Sequence, residues 1–344
     1  MRNFKKAVFA VLGFALCLIF FAAIIVTPYF RGQYYYYEDA QVREDLAGSI
    51  DTIVNGASHG MCAFVPEILD SELGVSSYNL SGPLATLGGR QELLHKELER
   101  NPVKTVFIEL SCNALTRNRD QEGYEGDLYM LARMGSFRER VSYFFHAFRD
   151  GEYLGVCADT LDRGFHAWNE LLHGDPPTVE PETRGFLARE PEDLSMTGEE
   201  FAAMHNAVAI EERTYWENKE PLFAMIEECQ AKGIEVVFVT TPLADRKLAS
   251  FSNLELTHQW YLYYAQQYGV PYLDFNLYRQ RDELFPDDTG FYDEYHLSAE
   301  GAETFSRELA KVYRAMKAGE DVSDLFYSDY YELDEAMVQA YSTP

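Results

Sequence analysis

The sequence predicts an α/β chain: three layers, α/β/α, around a parallel sheet of about five strands, a helical insertion after the third strand, and one N-terminal transmembrane helix. Three observations carry this. Short β-branched, apolar runs alternate with longer segments of helical period, the pattern of a parallel sheet covered on both faces. The alternation stops after the third such run and resumes beyond residue 215. An uncharged apolar run opens the chain.

Residues 7–27 contain no charge. At about 1.5 Å per residue such a run crosses a bilayer core of roughly 30 Å. Arg2, Lys5 and Lys6 precede it; only Arg31 follows closely, before Glu38 and Asp39. This asymmetry predicts a cytoplasmic N-terminus, with the rest of the chain outside the cell or in the periplasm. Tyr29, Phe30 and the tyrosines at 34–37 fit an aromatic interfacial belt. The run exceeds the roughly 7–15 apolar residues of a cleaved signal, and no A-x-A-like site follows it. An uncleaved single-pass anchor over residues 1–30 is therefore expected, then a linker over 31–48; the alternative is an ordinary cleaved signal peptide, and both export the domain.

Residues 50–55 read as the first strand, running into the small-residue turn Gly56-Ala57-Ser58-His59-Gly60, with residues 61–69 helical. Residues 75–80 read as the second strand. Residues 84–100 read as a helix, with Leu84, Leu87, Leu94 and Leu98 at helical spacing. Residues 105–110 form the third strand. The insertion, about 116–215, is aromatic, charged and mainly helical in pattern. Residues 221–232 resume as a helix ended by Gly233, and 234–239 form the most apolar strand. Residues 254–268 are helical, and 271–276 make the fifth strand. Ser298 N-caps a last helix whose apolar face holds Ala302, Phe305, Leu309, Val312 and Met316. The sheet domain thus covers residues 49–318. The tail, 319–344, holds seven acids and no Lys or Arg, and is expected to be solvated, with docking back on the domain as the alternative.

The whole chain of 344 residues has 56 acids against 29 Lys and Arg, a net charge of -27 that repels phosphate backbones and argues against a nucleic-acid partner. The five cysteines, Cys17, Cys62, Cys112, Cys157 and Cys229, contain no C-x-x-C pair. Buried free thiols are the favoured reading, one disulfide the alternative. His146, His166, His173, His205 and His258 show no metal-ligand spacing, and no phosphate-binding glycine motif is present, so neither metal nor cofactor is expected.

Four positions carry the chemistry. Ser58 stands at a strand-to-helix turn, where backbone N–H groups favour a developing negative charge. Asp293 and His296 lie three residues apart, so the carboxylate can hold one imidazole nitrogen while the other faces a serine. Gly82 and Asn113 follow the second and third strands; a glycine N–H and an asparagine amide are donor types an oxyanion hole uses. His59 and Thr241 are candidates to line the substrate.

The order Ser58, Gly82, Asn113, His296 resembles the SGNH (GDSL-like) hydrolase superfamily, across about residues 50–315 with the insertion interrupting it. The family's Gly-Asp-Ser block reads Gly56-Ala57-Ser58, and its Gly-x-Asn-Asp block reads Ser111-Cys112-Asn113-Ala114. The variant is similar to a subgroup of membrane-anchored proteins that help acylate cell-envelope polymers, the teichoic-acid D-alanylation and alginate-acetylation types. The resemblance implies a flavodoxin-like sheet and an Asp293–His296–Ser58 triad. It also implies an oxyanion hole of the Ser58 and Gly82 N–H groups with the Asn113 amide. The implied activity is a serine esterase or O-acyltransferase on an acylated glycan or envelope polymer, working beside a polytopic membrane O-acyltransferase. The alternative is a non-catalytic partner that binds the acylated polymer or that acyltransferase.

Overall fold

A computed structural model describes residues 13, 20–27, 29, 35–112, 114–115, 123–173, 183–205, 219–251 and 253–342, with the side chains of 35–38 and 170 left aside. The chain divides into two compact units: Met1–Asp45 with Asp127–Glu182, and Leu46–Gly126 with Thr183–Pro344. The insertion expected over 116–215 is therefore shared between them.

The second unit holds the sheet. Its strands are β1 (Thr52–Asn55), β2 (Ser77–Asn79), β3 (Thr105–Glu109), β4 (Glu235–Thr240) and β5 (Tyr272–Asp274). They lie in the order β2-β1-β3-β4-β5, and every pair is parallel. This is the flavodoxin-like order, whose direction reverses between β1 and β3; ligands bind outside the carboxyl ends of the strands there. β1 is buried along its whole length, and β3 and β4 after their first residues. Such strands read as unbroken apolar runs rather than alternating ones.

One face of the sheet carries α1 (Ser58–Ala63), α2 (Pro66–Leu73) and α9 (Ala299–Lys317); the other carries α3 (Leu87–Arg100), α5 (Lys219–Ala231) and α7 (Leu254–Tyr268). The helices α4 (Gly198–Met204), α6 (Asp245–Ser250), α8 (Arg281–Leu284) and α10 (Tyr330–Ser342) lie in connections and in the tail. On the first face Phe305, Leu309 and Val312 of α9 close over Val54, Phe107, Val237 and Leu273. The expected apolar stripe of the last helix is thus what covers the sheet, and Ser298 caps it by accepting the Gly301 N–H at 3.2 Å.

Two expectations are corrected. The single helix over 61–69 is two, because Pro66 has no N–H to continue the first and instead opens α2. The tail is not solvated. Tyr330, Leu333 and Met337 of α10 are buried against Cys112, Leu243, Leu248 and Leu277. The Tyr330 N–H donates to Glu255 at 2.8 Å, and the Tyr341 ring stacks on Phe201 at 4.6 Å. Glu320, Asp321, Asp324 and Glu335 are exposed, Asp334 meets His205 at 2.7 Å, and the buried tyrosine and aliphatic residues between them make a docking face.

The first unit is helical. Asp39 is buried between Arg43 and Arg133, at 3.3 and 3.2 Å. Tyr143 donates to Asp127 at 2.9 Å, and Tyr29, Ala132 and Ala167 form a small core. Cys62, Cys112 and Cys229 are buried and Cys157 exposed, all as free thiols. Most of the 7–27 run lies outside the described residues; residues 20–27 are helical. Among the described residues no helix is long and apolar enough to cross a membrane.

Candidate active site

The turn after β1 delivers Ser58 as the first residue of α1, so its N–H is among the donors that the helix itself cannot use. The turn packs unusually tightly. A Cβ on Gly56 would stand 2.7 Å from Ser81 Oγ and 2.9 Å from Glu109 Cβ; on Gly60 it would stand 2.6 Å from Ser81 Oγ. Only glycine leaves room there for the side chains arriving from β2 and β3.

His296 comes from the far end of the unit. Its Nε2 lies 2.8 Å from Ser58 Oγ. Its Nδ1 lies 2.9 Å from both carboxylate oxygens of Asp293. Asp293 also accepts the backbone N–H groups of Tyr295 at 2.8 Å and His296 at 2.9 Å, which folds residues 293–296 into one turn. Partial burial pushes the Asp293 carboxyl up, but the His296 ring and these backbone donors outweigh it and hold the group below the usual carboxylate range. The structure therefore brings Ser58, His296 and Asp293 into one hydrogen-bonded line, with the carboxylate kept ionised.

The other expected residues are placed less simply. Gly82 stands beside the turn, but its N–H donates to the Gly56 carbonyl at 3.3 Å rather than standing free. Asn113 lies outside the described residues. His59 is buried; its ring stands 5.0 Å from the His296 ring and 5.9 Å, edge-on, from Tyr295. It packs beside the histidine. Thr241 is buried as well, in the loop after β4.

Sequence reasoning missed Glu109 and its neighbours. Glu109 ends β3, is fully buried, and accepts the Ala57 N–H at 2.9 Å, one residue before Ser58. Burial raises its pKa above the ordinary carboxylate range, against the opposing charge of Arg90. Arg90, buried on α3, donates to Asn55 Oδ1 at 3.0 Å and to the Asn55 and Glu109 carbonyls at 2.7 Å each, tying β1 to β3 beneath the turn. Glu109 Oε1 and Ser81 Oγ are buried without a hydrogen-bond partner among the described residues. One signal was available: an acid inside an otherwise apolar strand is rarely buried without a purpose. Two cations also approach the line. Lys247 Nζ lies 4.5 Å above the Tyr295 ring, and the Arg189 guanidinium 5.1 Å above Tyr292.

No group of metal-ligating side chains occurs among the described residues. The ionisable groups here suit proton transfer and nucleophilic attack: a serine hydroxyl, an imidazole able to take its proton, and a carboxylate that fixes the tautomer.

No known family model matches the chain, and no curated protein does. Among solved structures, it is similar to a "putative acylhydrolase" from Bacteroides fragilis, at 11% identity and a TM-score of 0.38, over 80% of this chain and 94% of that one. It is also similar to a lipase/acylhydrolase from Enterococcus faecalis, at 12% identity and a TM-score of 0.36, over 78% of this chain and 96% of that one. Scores of this size carry no argument about the chemistry of this chain.

Proposed function

We propose that the protein is an SGNH-type serine esterase or O-acyltransferase working through an acyl-serine intermediate. The observation that carries this is the Ser58–His296–Asp293 line, at 2.8 and 2.9 Å. His296 Nε2 takes the Ser58 proton as Oγ attacks an ester carbonyl, and Asp293 stabilises the imidazolium that forms. The carbonyl oxygen becomes an oxyanion held by the Ser58 N–H, the Asn113 amide and the Gly82 N–H once it turns from Gly56. Collapse expels the alcohol, which takes the proton from His296. Water or a second hydroxyl then attacks the acyl-serine by the same route in reverse.

The finer reading rests on sequence. The uncharged 7–27 run and the Lys and Arg before it support a single-pass anchor with the catalytic unit outside the cell or in the periplasm. The resemblance in motif order supports an acylated envelope glycan or polymer as substrate and a polytopic membrane O-acyltransferase as partner.

The test is labelling of the full chain by a fluorophosphonate probe. Wild type is expected to be labelled at Ser58, and Ser58→Ala to lose the label. No labelling of a folded wild type would sink the enzyme reading. The non-catalytic reading, a domain that binds the acylated polymer or the acyltransferase, is favoured by one observation: the engagement of the Gly82 N–H with the Gly56 carbonyl. Turnover by wild type separates the two, and Asn113→Ala then tests the oxyanion hole. On the enzyme reading it removes about 2.7–4 kcal/mol of transition-state stabilisation while leaving the fold intact. Turnover unchanged in that variant would take Asn113 out of the oxyanion hole.

A further inference from the structure

We propose that the helical unit built from the N-terminal segment and residues 127–173 presents a second, lipid-contacting face, separate from the membrane-crossing run, on which the acyl chains of the bilayer surface pack. This rests on the anchored reading above. Among the described residues, every large hydrophobic side chain more than half exposed belongs to this unit. Leu154 is 87% exposed, Phe137 81%, Leu172 69% and Phe145 65%. No described part of the sheet unit leaves large apolar side chains so bare, although both parts share one acidic chain. Bare side chains of this size, grouped in one small unit, mark an interaction surface rather than scattered surface residues.

Two contacts tie this face to the end of the apolar run. At Gly164 a Cβ would lie 2.5 Å from the Ile25 carbonyl, so the helix Tyr153–His173 crosses residues 20–27 at backbone distance. One turn on, the Trp168 indole N–H donates to the Ile24 carbonyl at 3.1 Å. Phe20 and Phe21, 69% and 60% exposed, continue the bare surface along the run itself. Beside them Ala22, Ala23 and Val26 form a groove of about 510 Å³ with Phe137, Val141 and Phe144. Apart from Thr27 and Arg140 its lining is apolar. A helix pinned to the emerging end of a membrane span lies at the bilayer surface, and its free apolar side enters the boundary between headgroups and chains, roughly 5–10 Å deep.

Charge argues for hydrocarbon rather than headgroups as the attraction. The Tyr153–His173 helix sets Asp159, Asp162 and Glu170 against Arg163, and the Phe137–Ala147 helix sets Arg138 and Arg140 against Glu139, so charge nearly balances across the two. A face so nearly neutral gains little from anionic headgroups, so its association is expected in a purely zwitterionic bilayer and to persist in salt.

The experiment uses the full chain in phosphatidylcholine vesicles whose acyl chains are brominated near the headgroup. Trp216 and Trp260 are replaced by Phe, Trp168 is kept and its quenching subtracted with this parent, and reporter tryptophans are introduced by Phe20→Trp, Phe145→Trp, Leu172→Trp or Tyr263→Trp. Position 20 reports the run, 145 and 172 the proposed face, and 263 the sheet unit. Loss of fluorescence at 20, 145 and 172 but not at 263 is the expected result. The proposal falls if 20 is quenched while both 145 and 172 are not; the face is then covered by protein and the anchor stands. It falls together with the anchor if none is quenched. Equal quenching at 263 overturns it as indiscriminate contact. Position 172 keeps the test decisive should Phe145→Trp misfold.

Discussion

Glu109 touches no substrate in the scheme above, yet it holds the backbone that aims Ser58. Its Oε2 accepts the Ala57 N–H at 2.9 Å, and Gly56 and Gly60 lack side chains where Glu109 and Ser81 approach. It is a positioning residue. Glu109→Ala leaves a buried N–H without a partner, which costs about 1–3 kcal/mol. Denaturation with urea is expected to show that loss, and the fluorophosphonate rate to fall with it; Glu109→Gln, which keeps an acceptor oxygen, is expected to retain most of the rate. A wild-type rate in the alanine variant would end the positioning role. Gly60→Ala drives a methyl group to 2.6 Å from Ser81 Oγ, and overpacking of this kind costs about 1–3 kcal/mol, measurable as a lower Tm. At this scale the sequence was legible where a residue type and its spacing announce a chemistry. Ser58, Asp293 and His296 qualify, because an Asp-x-x-His turn closes on itself. Glu109 and Arg90 were illegible in role, because what they do depends on β1 and β3 being neighbours.

The segment from α8 to α9 shows how an element sets the histidine. Arg281 is buried with Asp245 and Asp288, and Asp288 accepts the Asp245 N–H at 2.9 Å, linking the loop after β4 to the approach of Asp293. Asp287 and Asp288 both take positive φ, 53° and 55°, a strained conformation kept by these contacts. Two acids of this segment titrate in opposite senses. Burial, and then the Asp245 charge, raise Asp288 to about 6, so the folded state binds its proton more readily than the unfolded chain. Stability is therefore expected to rise as pH falls through about 6, and Asp288→Asn to flatten that slope in melts between pH 7 and 5. Asp293 is held below the usual range. Its contribution is complete above the ordinary carboxylate value of about 3.9 and is lost only as pH falls through the lower folded value. The gap in Tm between wild type and Asp293→Asn is thus expected to stay constant in mild acid and to close as pH falls from about 3.9 to below the lower folded value. The tail helix makes an element-scale prediction too. Leu333→Ala in α10 empties a buried site, at about 2–5 kcal/mol for a fully closed cavity, and differential scanning calorimetry is the check. The tail was misread because its acids dominate composition, whereas docking depends on three buried side chains spaced along one helix face.

Across the whole molecule, sheet order explains why five short strands could be placed from sequence. Parallel strands covered on both faces must be apolar throughout, and each of the five runs overlaps its observed strand. Boundaries shifted by a residue or two, and the division of the chain into two units was not visible, because it depends on residues 127–182 packing with the N-terminal segment. The order β2-β1-β3-β4-β5 also has a consequence for time. The bond between Ser58 and His296 spans 238 positions of chain. The serine is made early and its base late, so their bond needs nearly the whole sheet unit to have been synthesised. Contacts so distant in sequence form slowly. A chain cut short before residue 293 lacks both the carboxylate and the imidazole, so on the proposed reading it is harmless to every ester it passes.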